Sequence, residues 1–348
     1  MRSDRFLLAC NRKPVDATPI WIMRQAGRYL KEYRDIREEF DFLTLCKTPE
    51  AAARVTLLPI EKFDLDAAIL FADIMLPLEG MGIDFDIVES VGPVIEKPVR
   101  TLADLRRLRV GHPEESVPYV LETVRLARQR LAGRVPLIGF AGAPFTLASY
   151  IIEGKPSKEF ILTKRLMLTE PITWHALMEL LTETVSEYLK AQIKAGAQAV
   201  QLFDSWVGAL APKDYSEFVL PYTKRIFSVL KECNVPRIHF GVITASLLEQ
   251  IKETGADVIG VDWRIPLDQA WNVIGYDKSI QGNLDPVVLF ASHDVVQNHV
   301  EEILRQANNR PGHIFNLGHG IMPDTPPENV AFLIDLVHRL SANERAKA

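Results

Sequence analysis

Two arginines four residues apart, Arg24 and Arg28, close a short apolar run, Ile20–Met23, within the stretch Pro19–Arg37. From Arg24 to Arg37 there are five basic residues (Arg24, Arg28, Lys31, Arg34, Arg37) and two acidic ones, in a chain whose net charge is −5. So local a cation density serves something local. A guanidinium meets a carboxylate or phosphate with two parallel hydrogen bonds, whereas an ammonium meets it as a point charge. Gly27 has no Cβ, so backbone amides around it can approach a ligand closely. A helix beginning after Met23 would put Arg24 and Arg28 on one face. The plainer alternative is a solvated helix start dressed in surface ion pairs.

Other residue types able to do chemistry also stand just past apolar runs. Asp73 is an acid framed by apolar neighbours, in Leu70-Phe71-Ala72-Asp73-Ile74-Met75; its plainer role is a helix N-cap. Tyr150 and Ser205 offer hydroxyls, and they also read as a half-buried tyrosine and a helix cap. His319 lies between Gly318 and Gly320, which frees the backbone around an imidazole; a core histidine is the alternative. Asp204, Asp262, Asn283 and Asp285 complete the set. No lysine follows a run, which disfavours a Schiff-base enzyme. No His-x-His or His/Cys cluster suggests a metal site, although Asp73, Asp204, Asp262 and His319 together could surround a divalent ion. The glycines are too sparse for a nucleotide fingerprint. The residues alone therefore point to a metal-free, cofactor-free site for a polycarboxylate or phosphate.

The elements that would position these groups form a repeating beat. Eight continuous apolar runs read as strands covered on both sides: Ile20–Met23, Ala67–Ala72, Val135–Ala141, Ala199–Phe203, Arg237–Gly241, Val258–Val261, Ser279–Gly282 and His313–Leu317. Between them, Pro49–Phe63, Glu114–Leu131, Pro171–Ala195, Pro212–Cys233, Thr244–Thr254 and Asp294–Ala307 carry helical periodicity, and Pro327–Leu340 would close the ring. Lys194–Trp206 and Glu253–Trp263 echo each other as helix end, glycine, strand and acid. The pattern predicts an α/β chain: one TIM (β/α)8 barrel domain over 1–348 with short terminal extensions, a doubly wound sheet being second. Glu79–Pro98 reads as a hairpin inserted after the second strand, and residues 143–156 as a long loop after the third.

Composition bounds the partners. Apolar residues make up 47% and charged residues 24%, as in an ordinary globule with a substantial core. A pI near 6.0 argues against non-specific nucleic-acid binding. Three scattered cysteines, Cys10, Cys46 and Cys233, read as reduced thiols. With no signal-like N-terminus and no run long enough to span a membrane, a cytoplasmic protein is expected.

The same residues carry a resemblance. Arg24-Gln25-Ala26-Gly27-Arg28-Tyr29, Phe71-Ala72-Asp73-Ile74, the stretch Gly139–Gly154, Phe203-Asp204-Ser205, His239-Phe240-Gly241, Gln281-Gly282-Asn283-Leu284-Asp285 and the stretch Asn316–Ile321 resemble the uroporphyrinogen decarboxylases, in order over about residues 5 to 340. The resemblance implies a single-domain TIM barrel, a homodimer, and no metal or organic cofactor. It implies removal of the carboxyl groups from the four acetate arms of uroporphyrinogen III, giving coproporphyrinogen III in porphyrin and haem biosynthesis. The family's binding positions fall on Arg24, Gln25, Ala26, Gly27, Arg28, Asp73, Tyr150, Ser205 and His319, with Arg37 added, and Asp73, Arg28 and Arg24 take catalytic roles. Two rivals remain: a corrinoid or thiol methyltransferase of the same superfamily, with zinc on late His and Cys ligands, and a tetrapyrrole carrier without turnover. Cys233 has no partner cysteine downstream, which counts against the first.

Overall fold

The computed structural model describes residues 2–88 and 91–347. Its organising element is a curled, parallel, seven-stranded sheet. The strands, in chain order, are β1 (Ala68–Ile69), β4 (Leu137–Gly142), β5 (Ala199–Asp204), β6 (Arg237–Gly241), β7 (Val258–Gly260), β8 (Ser279–Gln281) and β9 (His313–Ile314), each hydrogen-bonded to the next. A separate antiparallel pair joins β2 (Asp86–Val88) to β3 (Gly92–Val94). Residues 89 and 90 of the expected hairpin segment lie outside the described residues, and the helical turn Pro77–Gly80 overlaps its start.

Seven of the eight expected runs are strands; Ile20–Met23 makes only a bridge, Ile20 to Phe315. It still lies between the two edges of the sheet: Phe315 N–H donates to the Pro19 carbonyl at 2.8 Å and Asp66 N–H to the Ile20 carbonyl at 2.9 Å. Its ladder is incomplete because side chains take the donors. Ile20 N–H goes to the Asp66 carboxylate (2.8 Å), Ile22 N–H to Gln25 Oε1 (3.1 Å) and Met23 N–H to Asn316 Oδ1 (3.0 Å). Each backbone N–H from Ile20 to Met23 still finds an acceptor. Inside the curl, Trp21 Nε1 donates to Gln281, and Gln281 Nε2 to Gln201, at 2.9 and 3.0 Å.

Helices cover the outside, and many open at proline, whose missing N–H costs nothing in a first turn. Pro49–Lys62 and the 25-residue Pro171–Ala195 match the expected spans closely. Glu114–Leu131 divides at Pro118 into Pro113–Ser116 and Pro118–Leu131, and Pro212–Cys233 divides into Pro212–Phe218, Leu220–Leu230 and a 3-10 turn. Thr244–Thr254 is a chain of short turns. The long loop expected at 143–156 is a helix, Pro144–Glu153, started by Pro144 and stopped by Gly154 in the left-handed conformation (φ 78°). It is apolar on nearly all faces because nearly all are buried, so it shows no amphipathic period to read. Among the described residues no helix is long and apolar enough to cross a membrane.

Candidate active site

The groups singled out by chemistry gather at the carboxyl ends of the strands. Arg24 and Arg28 do not share a helical face: residues 24–30 form turns, and the helix begins only at Lys31. Arg24 instead sits in the left-handed region at φ 62°, a strained conformation for a side-chain-bearing residue. The loop is held there by Gln25, whose buried amide also donates to the Ala67 carbonyl at 3.1 Å, and whose own carbonyl accepts from Tyr29 Oη at 2.8 Å. Gln25 is therefore the loop's anchor, its buried amide spending Oε1 on Ile22 N–H and one N–H on Ala67. At Gly27 a Cβ would stand 2.9 Å from the Arg24 carbonyl oxygen, so the turn needs glycine. The backbone amides of Ala26, Gly27 and Arg28 make no hydrogen bond among the described residues. Successive free amides of this kind form a concavity suited to an anion.

Arg24 and Arg28 have no carboxylate partner among the described residues. Arg28 is exposed, and its carbonyl is braced by Arg34 Nη1 at 2.7 Å. Arg37 is drawn aside. Its Nε donates to the Phe40 carbonyl at 3.3 Å and its guanidinium lies over the Phe42 ring, 5.6 Å from the centroid. It flanks the aromatic wall of Tyr33, Phe42 and Phe71, whose rings pack edge to face at 5.8 Å.

Asp73 follows β1 just past that wall. It is not a helix cap; its Oδ1 accepts from Met75 N–H at 2.8 Å in a local turn. No other hydrogen bond reaches its carboxyl among the described residues. Burial pushes its pKa above the ordinary 3.8, opposed by the Met75 amide and by the Arg24 charge. A carboxyl with one donor, in a place that penalises its charge, is short of hydrogen-bond donors.

Tyr150, on the helix Pro144–Glu153, faces Asp73 and Arg24 closely enough to feel both charges, although burial is what chiefly raises its pKa. Its ring packs on Trp206 at 6.0 Å. Trp206 N–H reaches Thr146 Oγ1 (3.3 Å), which donates to the buried Asp204 (3.0 Å). Ser205 stands between these two anchored residues, half-buried, with its hydroxyl unused and without a capping bond to the turn that follows. The His319 ring meets the Gly320 backbone; burial first, and then Arg24 and Arg264, push its pKa down to about 4. At neutral pH it is a neutral donor and acceptor.

Asp73, Asp204, Asp262 and His319 do not converge on a point that could hold a metal: among the described residues no three His, Cys, Asp or Glu side chains do so. Asp204 is committed to Thr146, and Asp262 accepts from the backbone amides of Ile243 (2.6 Å) and Arg264 (3.0 Å). Arg264 is not nominated by position after an apolar run because it lies three residues beyond Val258–Val261, behind Asp262 and Trp263. The Trp263-Arg264 pair after the acid was the available signal.

The arrangement is an arginine-rimmed cup with one under-bonded carboxyl and three neutral hydrogen-bonding groups. Comparison with known proteins agrees on its kinship. Residues 1–340 match the family described as Uroporphyrinogen decarboxylase (URO-D). The chain is 58% identical over 340 residues to the uroporphyrinogen decarboxylase of Carboxydothermus hydrogenoformans, covering 98% of this chain and 97% of the relative. It is 55% identical to that of Sorangium cellulosum, covering 97% and 96%, and 54% identical to that of Geobacter sulfurreducens, covering 97% and 99%. Among solved structures, a methyltransferase from Methanosarcina mazei superposes with a TM-score of 0.81 at 20% identity, covering 97% and 98%; at that identity it speaks for the fold alone. The chain belongs to the uroporphyrinogen decarboxylase family.

Proposed function

We infer that the protein decarboxylates uroporphyrinogen III to coproporphyrinogen III, without a metal or organic cofactor, in the cup around Asp73 of a (β/α)8 barrel whose eighth stave is Ile20–Met23. The observation that carries the mechanism is the under-bonded Asp73 carboxyl beside Arg24.

Loss of CO2 from an acetate arm leaves an electron pair that needs a sink. Protonating the pyrrole α-carbon next to the carbon that bears the arm places positive charge on the ring nitrogen, in conjugation with the arm. The arm's bond to its carboxylate then breaks, its electrons neutralise the ring, and CO2 leaves. Protonation of the remaining methylene and return of the ring proton give a methyl group; the net change replaces CO2 by one proton. Asp73, ionised, accepts hydrogen bonds from the pyrrole N–H groups and faces the developing cation. Those N–H groups supply the donors its carboxyl lacks. A unit pair at about 4 Å and an effective dielectric of about 20 contributes about 4 kcal/mol, which is about three decades in rate. Such stabilisation is preorganised, since the carboxyl is already in place.

Arg24, Arg28 and the free amides of Ala26 to Arg28 hold the carboxylates nearest the reacting ring, while Tyr150, Ser205 and His319 hydrogen-bond neighbouring arms. Arg37 flanks them. A second copy of the chain is the proposed partner. Ile161 and Leu168, seven apart on one helix, and the nearby Ile172 are exposed apolar residues, a surface suited to such a contact.

Anaerobic incubation with uroporphyrinogen III, followed by chromatography, tests the reading. Species with seven, six, five and finally four carboxylates are expected. Tight binding with the eight-carboxylate compound unchanged would make the protein a carrier instead.

A further inference from the structure

The loop after β7 carries a guanidinium for which the reaction above has no use. Arg264 lies over the Trp263 indole, its central carbon 4.1 Å from the ring. One of its terminal nitrogens is tied to the buried Asp262 carboxylate at 2.6 Å. Its remaining N–H groups make no hydrogen bond among the described residues, and the side chain is 40% exposed. Asp262 is fixed independently by the two backbone amides it accepts, and Asn283 Nδ2 clamps the loop by donating to the carbonyls of Asp262 (3.0 Å) and Ile265 (2.8 Å). A planar cation stacked on one face and tied along one edge is pre-aimed, so little rotamer freedom is lost when its free edge pairs.

Its place relative to the cup is set by the Gly318-His319-Gly320 segment. A Cβ on Gly318 would stand 2.7 Å from the Trp263 nitrogen and 2.8 Å from its ring, and a Cβ on Gly320 would stand 2.4 Å from Arg24 Cδ. The two glycines let His319 lie between Arg24 on one side and the Trp263–Arg264 stack on the other, and His319 registers both charges. We propose that Arg264 is a further binding residue of this site, taking a carboxylate arm of the substrate on the His319 side, away from the Arg24–Arg28 loop. The proposal rests on the reading that the ligand is a tetrapyrrole octacarboxylate, and it gives that ligand cationic holds on two sides of the cup.

Arg264→Gln is expected to raise KM for uroporphyrinogen III about tenfold, the loss of one charge-assisted pair, with kcat falling less than about threefold. Arg264→Lys keeps the charge but not the flat fork, and should recover only part of the loss. KM of the parent should rise more steeply with salt than that of Arg264→Gln. These readouts separate substrate contact from a merely structural role, which would lower kcat and thermal stability and leave the salt dependence alone. Equilibrium binding of the oxidised probe uroporphyrin III, followed by fluorescence, separates this inference from the functional reading. If the parent binds the probe about tenfold more tightly than Arg264→Gln but releases no CO2 from uroporphyrinogen, the decarboxylase reading fails and Arg264 stands. Equal KM and equal probe affinity in the two proteins, or no binding by either, would overturn the role of Arg264.

Discussion

Both ends of the strand bundle are rich in arginine and aspartate, yet they treat charge in opposite ways. At the amino end Arg5, 6% exposed, is saturated. Its Nε and Nη2 reach Asp16 at 2.8 and 2.6 Å, and its Nη1 reaches Asp66 at 2.8 Å. Asp66 is in turn held by His338 Nε2 at 2.7 Å and by the Ile20 amide. The hydrogen bond to Arg5 holds the Asp16 carboxyl down at about 2 and pushes the guanidinium up. A surface hollow of about 750 Å³ lies against this network. Its cations are already spent: Arg5 as above, Lys62 on Glu32 at 2.6 Å and Arg339 on Asp335 at 3.8 Å. At the carboxyl end the pattern reverses. Among the described residues Arg24 and Arg28 have no acid and Asp73 has one backbone donor, and Arg24 sits at a strained φ. Buried charge that is fully paired holds a fold together, because breaking it strands the partner. Charge left unpaired at the carboxyl end is free to pair with a ligand, which is the role proposed for it.

Substitutions at matched positions break this comparison most sharply. Asp73→Asn should lower kcat by about three decades and leave the melting temperature unchanged or raised. The sign follows from linkage: burial raises the folded-state pKa of Asp73 above its ordinary value, so its contribution favours the protonated form and is lost as pH rises through that pKa. At neutral pH the charge therefore costs stability. Asp66→Ala should do the reverse, destabilising by about 3–5 kcal/mol because Arg5 is left buried without its second partner, with turnover per folded molecule retained. Denaturant melts and kcat measured on the same two preparations decide.

Arg28→Ala should raise KM at least tenfold, whereas Arg34→Ala, which frees the Arg28 and Tyr29 carbonyls, should raise it a few-fold; equal effects would return the arginine cluster to an ordinary surface. The smallest effect is a pH dependence. With its folded pKa lowered to about 4 from the ordinary 6.5, His319 contributes stability that is complete above about pH 6.5 and lost as pH falls towards 4. Its ring resonances should therefore show no titration between about pH 5.5 and 8; a midpoint near 6.5 would mean that the ring is not buried between Arg24 and Arg264.

The sequence made the carboxyl end more legible than the amino end, for a physical reason. Arg24, Asp73, Ser205 and His319 each stand within two residues of the end of an apolar run, so position after a run alone nominates them. The amino-end network joins residues 61 and 272 positions apart, and no local pattern announces such partners. Seven strands were readable because strands buried on both faces are continuously apolar. The helix carrying Tyr150 was not, because a helix buried all round loses its period. Arg24 and Arg28 were chosen for spacing that suits a helix, and they belong together through a strained turn.

The central claim is that Asp73 is kept short of donors so that the substrate's ring N–H groups can supply them. Carbon-13 labelling of the aspartates, with Asp73→Asn to assign the signal, gives the pKa of this one carboxyl directly. It should lie above 3.8 in the free protein and fall when coproporphyrinogen III, which offers pyrrole N–H groups but no acetate arm to lose, occupies the cup. A carboxyl that titrates identically with and without that ligand would contradict the account.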